Sequence, residues 1–443
     1  MARWQQVIGA IAHNVDEYFD ALKHRLAQQL GGGNDPIVIV AYHGYGTAER
    51  LFVSGRVLEQ PGVNPTGDND TVWNNLVNTY KRFESDEIRG ARVVAQFQGI
   101  EQEVVTDEEG FFVIEIVPAQ PLPADQLWHD IALEVREPQR AGQGPVRATG
   151  RVFVPPRSAQ FGVISDIDDT VVQTDAANLL RMARSVFLGN ARTRLPFKGV
   201  AGLYRALQQG TAGNTETGVN PLFYVSSSPW NLYDLLIEFF TLHDIPQGPI
   251  FLRDWGISRH EILPTAHRGH KLAAIRQILD RYPQLGFILI GDSGQEDPEI
   301  YREIVELYAG RIKAVYIRNV SRKPERATAI RKLAEEVVAV GSTLLLADDT
   351  VAVARHAVEQ GWIVPETLTS IEVEKAADTV PATPIERLLG EPEPTTAPTI
   401  VIADDSAGQT KAAVEQGAIE AALQEGDQTD ESPPTVIVEG DKP

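Results

Sequence analysis

The sequence predicts an α/β protein: a parallel sheet with helices on both faces, preceded by an N-terminal helix and a β-sandwich-like segment, and followed by a largely disordered acidic tail. Three observations predict it. Over residues 160–320, short apolar runs alternate with helical patterns, as in a sheet whose strands are buried on both faces. Over residues 36–155, short β-type runs are separated by turn signals. Beyond Val364, nine prolines in 80 residues, many acids and few aromatics describe a chain with little apolar surface to bury.

The elements follow in order. Trp4, Val7, Ile8, Ile11, Val15, Tyr18, Phe19, Leu22, Leu26 and Leu30 recur at three- and four-residue steps, so residues 3–30 read as an amphipathic helix ended by Gly31-Gly32-Gly33. Asp16, Glu17 and Asp20 on its polar face fit packing on the protein itself better than cationic lipid binding. The β-type runs are Ile37–Tyr42, Leu51–Leu58, Ala91–Phe97, Gln102–Thr106, Phe111–Val117, Ile131–Val135 and Thr149–Val154, with a helical pattern at Val72–Phe83 between them. Asp107-Glu108-Glu109-Gly110 signals a hairpin. Several such strands suggest a sandwich of immunoglobulin or transthyretin type. This segment has no clustered histidines or paired carboxylates, so it reads as a binding or positioning module. The expected divisions are residues 1–33, 34–157, 158–364 and 365–443.

The tail holds one ordered-looking feature. Ala347–Ile363 and Ala403–Ile419 match at nine of 17 positions, each after an apolar run, Leu344–Leu346 and Ile400–Ile402. Each reads as a strand-turn-helix unit, the second a degenerate copy spanning 399–420. Their paired aspartates allow a second metal site, although a repeated structural unit explains them as well.

Composition narrows the function. The net charge is −21, of which 17 Asp/Glu and 4 Lys/Arg beyond Val364 contribute −13. That balance argues against nucleic acid and against nonspecific binding to an anionic membrane. With no cysteine, disulfides, thiolate catalysis and Cys-ligated zinc are excluded. No run of 18 apolar residues predicts a transmembrane helix, no signal peptide is legible, and a cytoplasmic location is expected.

In open parallel sheets ligands sit beyond the carboxyl ends of the strands, so the residues following each apolar run matter most. Phe161–Ser165 leads into Asp166-Ile-Asp168-Asp169-Thr170. Extended residues alternate sides, so Asp166 and Asp168 face one ligand while Ile167 faces away. Two such carboxylates suit a nucleophile and a general acid/base. A calcium loop is the rival reading, but an EF-hand wants Gly and Glu where Val171 and Ala177 stand. Leu222–Val225 leads into Ser226-Ser227-Ser228-Pro-Trp, whose hydroxyls and N–H groups suit phosphate oxygens or simple helix capping. Lys271, in Arg268-Gly-His-Lys271, is read as opening a helix, where a cation opposes the dipole and favours a functional charge. Phe287–Ile290 leads into Gly291-Asp292, with Asp297 five residues on. Hard carboxylate ligands from Asp166 and Asp292 select Mg²⁺, with Asp297 a further ligand or an orienter of the others, although Gly291-Asp292 taken alone also reads as a simple turn.

The acidic motif, serine, lysine and second acidic motif, in this order, resemble the haloacid dehalogenase (HAD) superfamily and imply a HAD-like Rossmannoid sheet. Tyr224–Tyr233, Phe251–Gly256, Gly269–Lys271 and Gly291–Tyr301 are similar to the catalytic-domain family of the actin-patch type of phosphatidate phosphatase, including its bacterial members. The likeness covers roughly residues 160–363. It implies a Mg²⁺-dependent phosphatase working through an aspartyl-phosphate on Asp166. Asp168 would be the acid and base, and Ser226, Ser227 and Lys271 would bind the phosphoryl group. Asp166, Asp292 and the Asp168 carbonyl would hold Mg²⁺ with Asp297 supporting, and Thr170 would brace the loop. The segment 171–221, with a helical pattern at Ala176–Leu188 and Arg192, Arg194 and Lys198, is short for a cap, so an open site is expected. Arg253, Arg268 and His270 are candidate substrate contacts. The expected substrate is phosphatidate at a membrane surface. The alternatives are a soluble phosphomonoester or phosphoprotein, or a non-catalytic scaffold.

Overall fold

The computed structural model describes residues 35–59, 86–123, 126–168, 170–171, 197–211, 219–253, 264–321, 323–377, 400–403 and 436–439. The expected N-terminal helix, the helical patterns at Val72–Phe83 and Ala176–Leu188, Arg192 and Arg194, and the helix of the tail repeat lie outside them.

Eight strands form the first sheet: β1 (Ile37–Gly46), β2 (Leu51–Glu59), β3 (Asp86–Glu87), β4 (Arg92–Phe97), β5 (Ile100–Val105), β6 (Phe111–Ile116), β7 (Trp128–Glu137) and β8 (Val146–Phe153). Their order is β3-β2-β1-β8-β7-β4-β5, with β6 also on β2. The expected sandwich of two sheets is therefore wrong: this is one mixed sheet, in which β1 and β8 run parallel and the other pairs antiparallel. The Asp107–Gly110 turn forms as its chemistry requires, with the Asp107 side chain accepting from the N–H groups of Glu109 (3.0 Å) and Phe111 (2.8 Å). It does not close a hairpin. β5 pairs with β4 and β6 pairs with β2, so the turn joins opposite edges and the sheet curls toward closure. Alternate residues point inward to one apolar core that includes Leu51, Val53, Val93, Phe112, Ile114, Ile131 and Leu133.

Eight strands also form the second sheet: β9 (Gly162–Asp166), β10 (Leu222–Pro229), β11 (Ile250–Arg253), β12 (Phe287–Asp292), β13 (Ile312–Arg318), β14 (Leu344–Ala347), β15 (Ile400–Ala403) and β16 (Val436–Glu439). The order is β11-β10-β9-β12-β13-β14-β16-β15. The six strands from β9 to β14 pair in parallel, but β16 lies antiparallel to β14 and carries β15 beside it. This corrects the expected Rossmannoid parallel sheet, because the sheet is mixed and the tail supplies two of its strands. The two copies of the repeat place their strands in this one sheet without being neighbours.

Alternation sorts the strand residues onto two faces. Val163, Leu222, Tyr224, Ile288, Tyr316 and Leu345 pack with helices α1 (Val200–Gln209), α2 (Tyr233–Leu242, entered by a 3-10 turn at Trp230–Leu232), α6 (Thr350–Glu359) and α7 (Glu366–Ala377). Ile164, Phe223, Leu289, Val315 and Leu346 pack with α3 (Pro264–Arg281), α4 (Asp297–Leu307) and α5 (Pro324–Ala339). The β1–β2 end of the first sheet packs against the second sheet and its helices. Tyr45 lies 5.3 Å from Phe251 between ring centroids, Tyr42 stacks on Trp230 at 4.2 Å, and the Tyr282 hydroxyl donates to the Gly46 carbonyl at 3.1 Å.

Candidate active site

Strands β9, β10 and β12 are adjacent, so their carboxyl ends deliver side chains to one place. Asp166 ends β9, Ser226 lies near the end of β10, Asp292 ends β12 and Asp297 begins α4. Asp166, Ser226, Lys271, Asp292 and Asp297 are all buried. Lys271 stands at the centre, its Nζ 2.8 Å from Asp166 Oδ1 and 2.6 Å from Asp297 Oδ1. The contact to Asp166 is a buried ion pair. α3 begins at Pro264, so Lys271 sits inside the helix rather than at its start. Carboxylates, not the helix dipole, account for its charge. Burial alone would lower the Lys271 pKa, but Asp166 and Asp297 outweigh it and hold the ammonium protonated.

The acidic turn is tightly wired. Asp292 Oδ1 accepts from the N–H groups of Gly294 (2.6 Å) and Gln295 (2.9 Å), and Asp297 Oδ2 accepts from the Asp292 N–H at 3.2 Å. Gly291 is needed here, since a Cβ on it would stand 2.5 Å from Asp297 Oδ2. Ligand atoms of Asp166, Asp292 and Asp297 lie within 4.8 Å of one another. Burial pushes the Asp166 carboxyl well above its usual range; Lys271 pulls it back, while Asp297, Asp292 and Asp168 push it further. Three carboxylates against one ammonium leave two negative charges uncompensated if all ionise. A divalent cation with a preference for oxygen fits that deficit.

Asp168 turns away from this cluster. Its Oδ2 accepts from both Ser226 Oγ (2.6 Å) and Ser228 Oγ (2.9 Å), and Ser226 Oγ also accepts from the Ser228 N–H at 2.9 Å. The Asp168 carbonyl receives the Gln295 amide at 3.4 Å. Thr170 Oγ1 donates to Asp166 Oδ2 at 3.3 Å. Ser227, half-buried, lies between the two serines that hold Asp168. Of the candidate substrate contacts, Arg268 is ion-paired with Glu303 at 2.7 Å, which bridges α3 to α4. Arg253 is buried at the end of β11, and His270 is partly buried beside Lys271 on α3. Lys198 gives its carbonyl to Thr350 Oγ1 at 2.9 Å. In the repeat, Asp349 caps α6 through the Ala352 N–H and pairs with Lys375 at 2.6 Å, and Asp348 accepts from Asn319. These two aspartates have structural work.

Sequence reasoning missed Tyr204, Gln295 and Arg326 at the site, and left Ser228 as one of three candidate phosphate-binding serines. Tyr204 of α1 meets Ser165 Oγ at 2.6 Å, and that hydroxyl donates to the Asp166 carbonyl. Ser228, Gln295 and Arg326 also touch the site loops. Ser228 was legible within the triple serine. The partners of the other three are remote in sequence, so no local pattern marks them.

Residues 161–319 match the family model described as the catalytic domain of phosphatidate phosphatase APP1. This segment belongs to that family. "Phosphatidate phosphatase APP1" of Saccharomyces cerevisiae is 34% identical over 159 residues, covering 36% of this chain and 26% of its own length. An uncharacterized protein of Schizosaccharomyces pombe is 30% identical over 247 residues, 54% of this chain and 37% of its own. The chain thus spans a quarter to somewhat over a third of these relatives. Among solved structures, a carbohydrate acetylesterase from Xanthomonas citri aligns at 11% identity over 67% of this chain and 72% of its own, with a TM-score of 0.20 that carries no argument about fold. The family match ends at residue 319, before α5.

Proposed function

We propose that the protein hydrolyses phosphatidate to diacylglycerol and inorganic phosphate, with Mg²⁺ bound by Asp166, Asp292 and the Asp168 carbonyl, and with Asp297 supporting. The observation that carries the reading is the buried convergence of Asp166, Lys271, Asp292 and Asp297 within a segment of the phosphatase family. An Asp166 oxygen attacks phosphorus and forms the P–O bond of an aspartyl-phosphate, while the bond to the glycerol oxygen breaks. Asp168 gives that oxygen its proton. Asp168 then takes a proton from water, the water oxygen bonds to phosphorus, and the bond to Asp166 breaks to release phosphate. Ser226 turns its hydrogen from Asp168 to a phosphoryl oxygen, and Ser227 lends a second contact. Ser228 stays on Asp168. Lys271 offsets the negative charge of the transferring group. Mg²⁺ held by these residues would supply further positive charge to the transferring group.

A lipid substrate implies contact with a membrane surface; among the described residues no helix is long and apolar enough to cross one. The reading is tested by Mg²⁺-dependent phosphate release from phosphatidate in liposomes, compared with soluble phosphomonoesters. Asp166→Asn should lower release by about 10³-fold or more with the fold intact. Equal or faster turnover of soluble substrates rejects the lipid assignment. Absence of release from every phosphomonoester rejects the enzyme and leaves the scaffold reading.

A further inference from the structure

Arg326 lies on α5, beyond the segment that matches the family, yet it grips the acidic turn. Its Nε donates to the Ser293 carbonyl at 2.8 Å and its Nη2 to the Gln295 carbonyl at 2.6 Å. The same guanidinium forks onto Glu299 in the first turn of α4, with Nη1 on Oε1 and Nη2 2.9 Å from Oε2.

The Ser293–Gly294 peptide is held at both ends. Its carbonyl takes Arg326, and its N–H goes to Asp292 Oδ1. That peptide therefore cannot rotate without losing both contacts, and its N–H orients the Asp292 carboxylate. The Gln295 carbonyl is fixed by the same guanidinium, while the Gln295 side chain reaches the Asp168 carbonyl and its N–H reaches Asp292. Ser293 Oγ, accepting from the N–H groups of Val320 (2.9 Å) and Ser321 (3.0 Å), anchors the turn to the end of β13. Groups that orient metal-ligating carboxylates set affinity almost as strongly as the ligands themselves.

We propose that Arg326 is a positioning residue for the divalent-cation site, holding the Ser293–Gln295 turn so that Asp292 and Asp297 present their carboxylates together. The proposal rests on the cation site of the proposed function. A planar five-donor fork is required, because a lysine ammonium cannot meet two carbonyls and a bidentate carboxylate in one plane.

The rival role is a plain brace between α4 and α5 through Glu299. Mn²⁺ binding to the full chain, followed by electron paramagnetic resonance in the absence of substrate, separates the two. Arg326→Ala should weaken Mn²⁺ binding about tenfold or more. Arg326→Lys, the safer variant for folding, should weaken it several-fold, while Glu299→Gln, which keeps the carbonyl contacts, should stay within about threefold of wild type. At saturating cation the turnover of Arg326→Lys should return to near the wild-type value. Unchanged Mn²⁺ affinity in the Arg326 variants, an equal loss in Glu299→Gln, or turnover that saturating cation does not restore overturns the clamp. If the wild type itself binds no Mn²⁺, the cation site falls and the clamp falls with it.

Discussion

The two sheets bury different things. The first encloses Phe112, Ile114, Leu133 and their neighbours, an apolar core whose stability comes from area removed from water. The second has the same kind of core on both faces but also buries Asp166, Lys271, Asp292 and Asp297 at its strand ends. Buried charge is costly even when paired. A fold that keeps three carboxylates and an ammonium out of water has a site that stability alone does not explain. The comparison teaches where to look for chemistry: at the strand ends where burial and charge coincide.

Removing Lys271 should break the comparison hardest. Lys271→Met leaves three buried carboxylates facing one another, and should lower stability by about 3–5 kcal/mol without divalent cation. Added Mg²⁺ should recover part of the loss, as thermal unfolding with and without chelator will read; a loss indifferent to Mg²⁺ would show that no cation compensates the cluster. Phe112→Ala in the first sheet should cost a similar or slightly smaller amount, about 3–4 kcal/mol, through its cavity. Here chelator should change nothing, and a cation-dependent loss would mean that the sheets are not energetically separate.

The smallest effect lies at the seam. His43 of β1 packs on Trp128 at 4.8 Å, and its backbone N–H donates to the Tyr233 hydroxyl at 2.7 Å. Burial, then the Arg151 charge, lowers its pKa to about 4 from the usual 6.5, against a hydrogen bond that the imidazole donates to the Gly248 backbone. The unfolded chain therefore binds a proton that the folded chain refuses between those values. This contribution is intact above pH 6.5 and falls as pH drops toward 4, by at most about 3 kcal/mol. Urea unfolding at pH 7 and pH 5 should show a steeper loss in wild type than in His43→Phe, and equal slopes would remove His43 from the seam's energetics.

Much of the site was legible because each key residue follows an apolar run: Asp166 after Phe161–Ser165, Ser226 after Leu222–Val225, Asp292 after Phe287–Ile290. A strand end is a local signal. The curl of the first sheet was not legible, because Asp107–Gly110 fixes only its own turn and says nothing about which strands flank β5 and β6. Val436–Glu439 was lost for a related reason: three apolar residues in a Pro-rich, acidic stretch have no pattern until β14 offers them a partner. Lys271 lies deeper in its helix than the sequence suggests, because α3 begins in residues without an apolar pattern, Pro264 to His270. Arg326 escaped entirely, since its carbonyl partners carry no side-chain signature.

The place of β9 has a consequence for the newborn chain. Ile164 pairs with Phe223 on one side and Leu289 on the other. As synthesis proceeds, the strand carrying Asp166 finds its first neighbour when β10 emerges and its second only when β12 does. Non-local pairing of this kind is slow, because loop closure precedes its reward. A ribosome-bound chain halted before β12 would hold Asp166 without Asp292 or Asp297, so the acidic cluster is completed only once β12 and α4 have emerged.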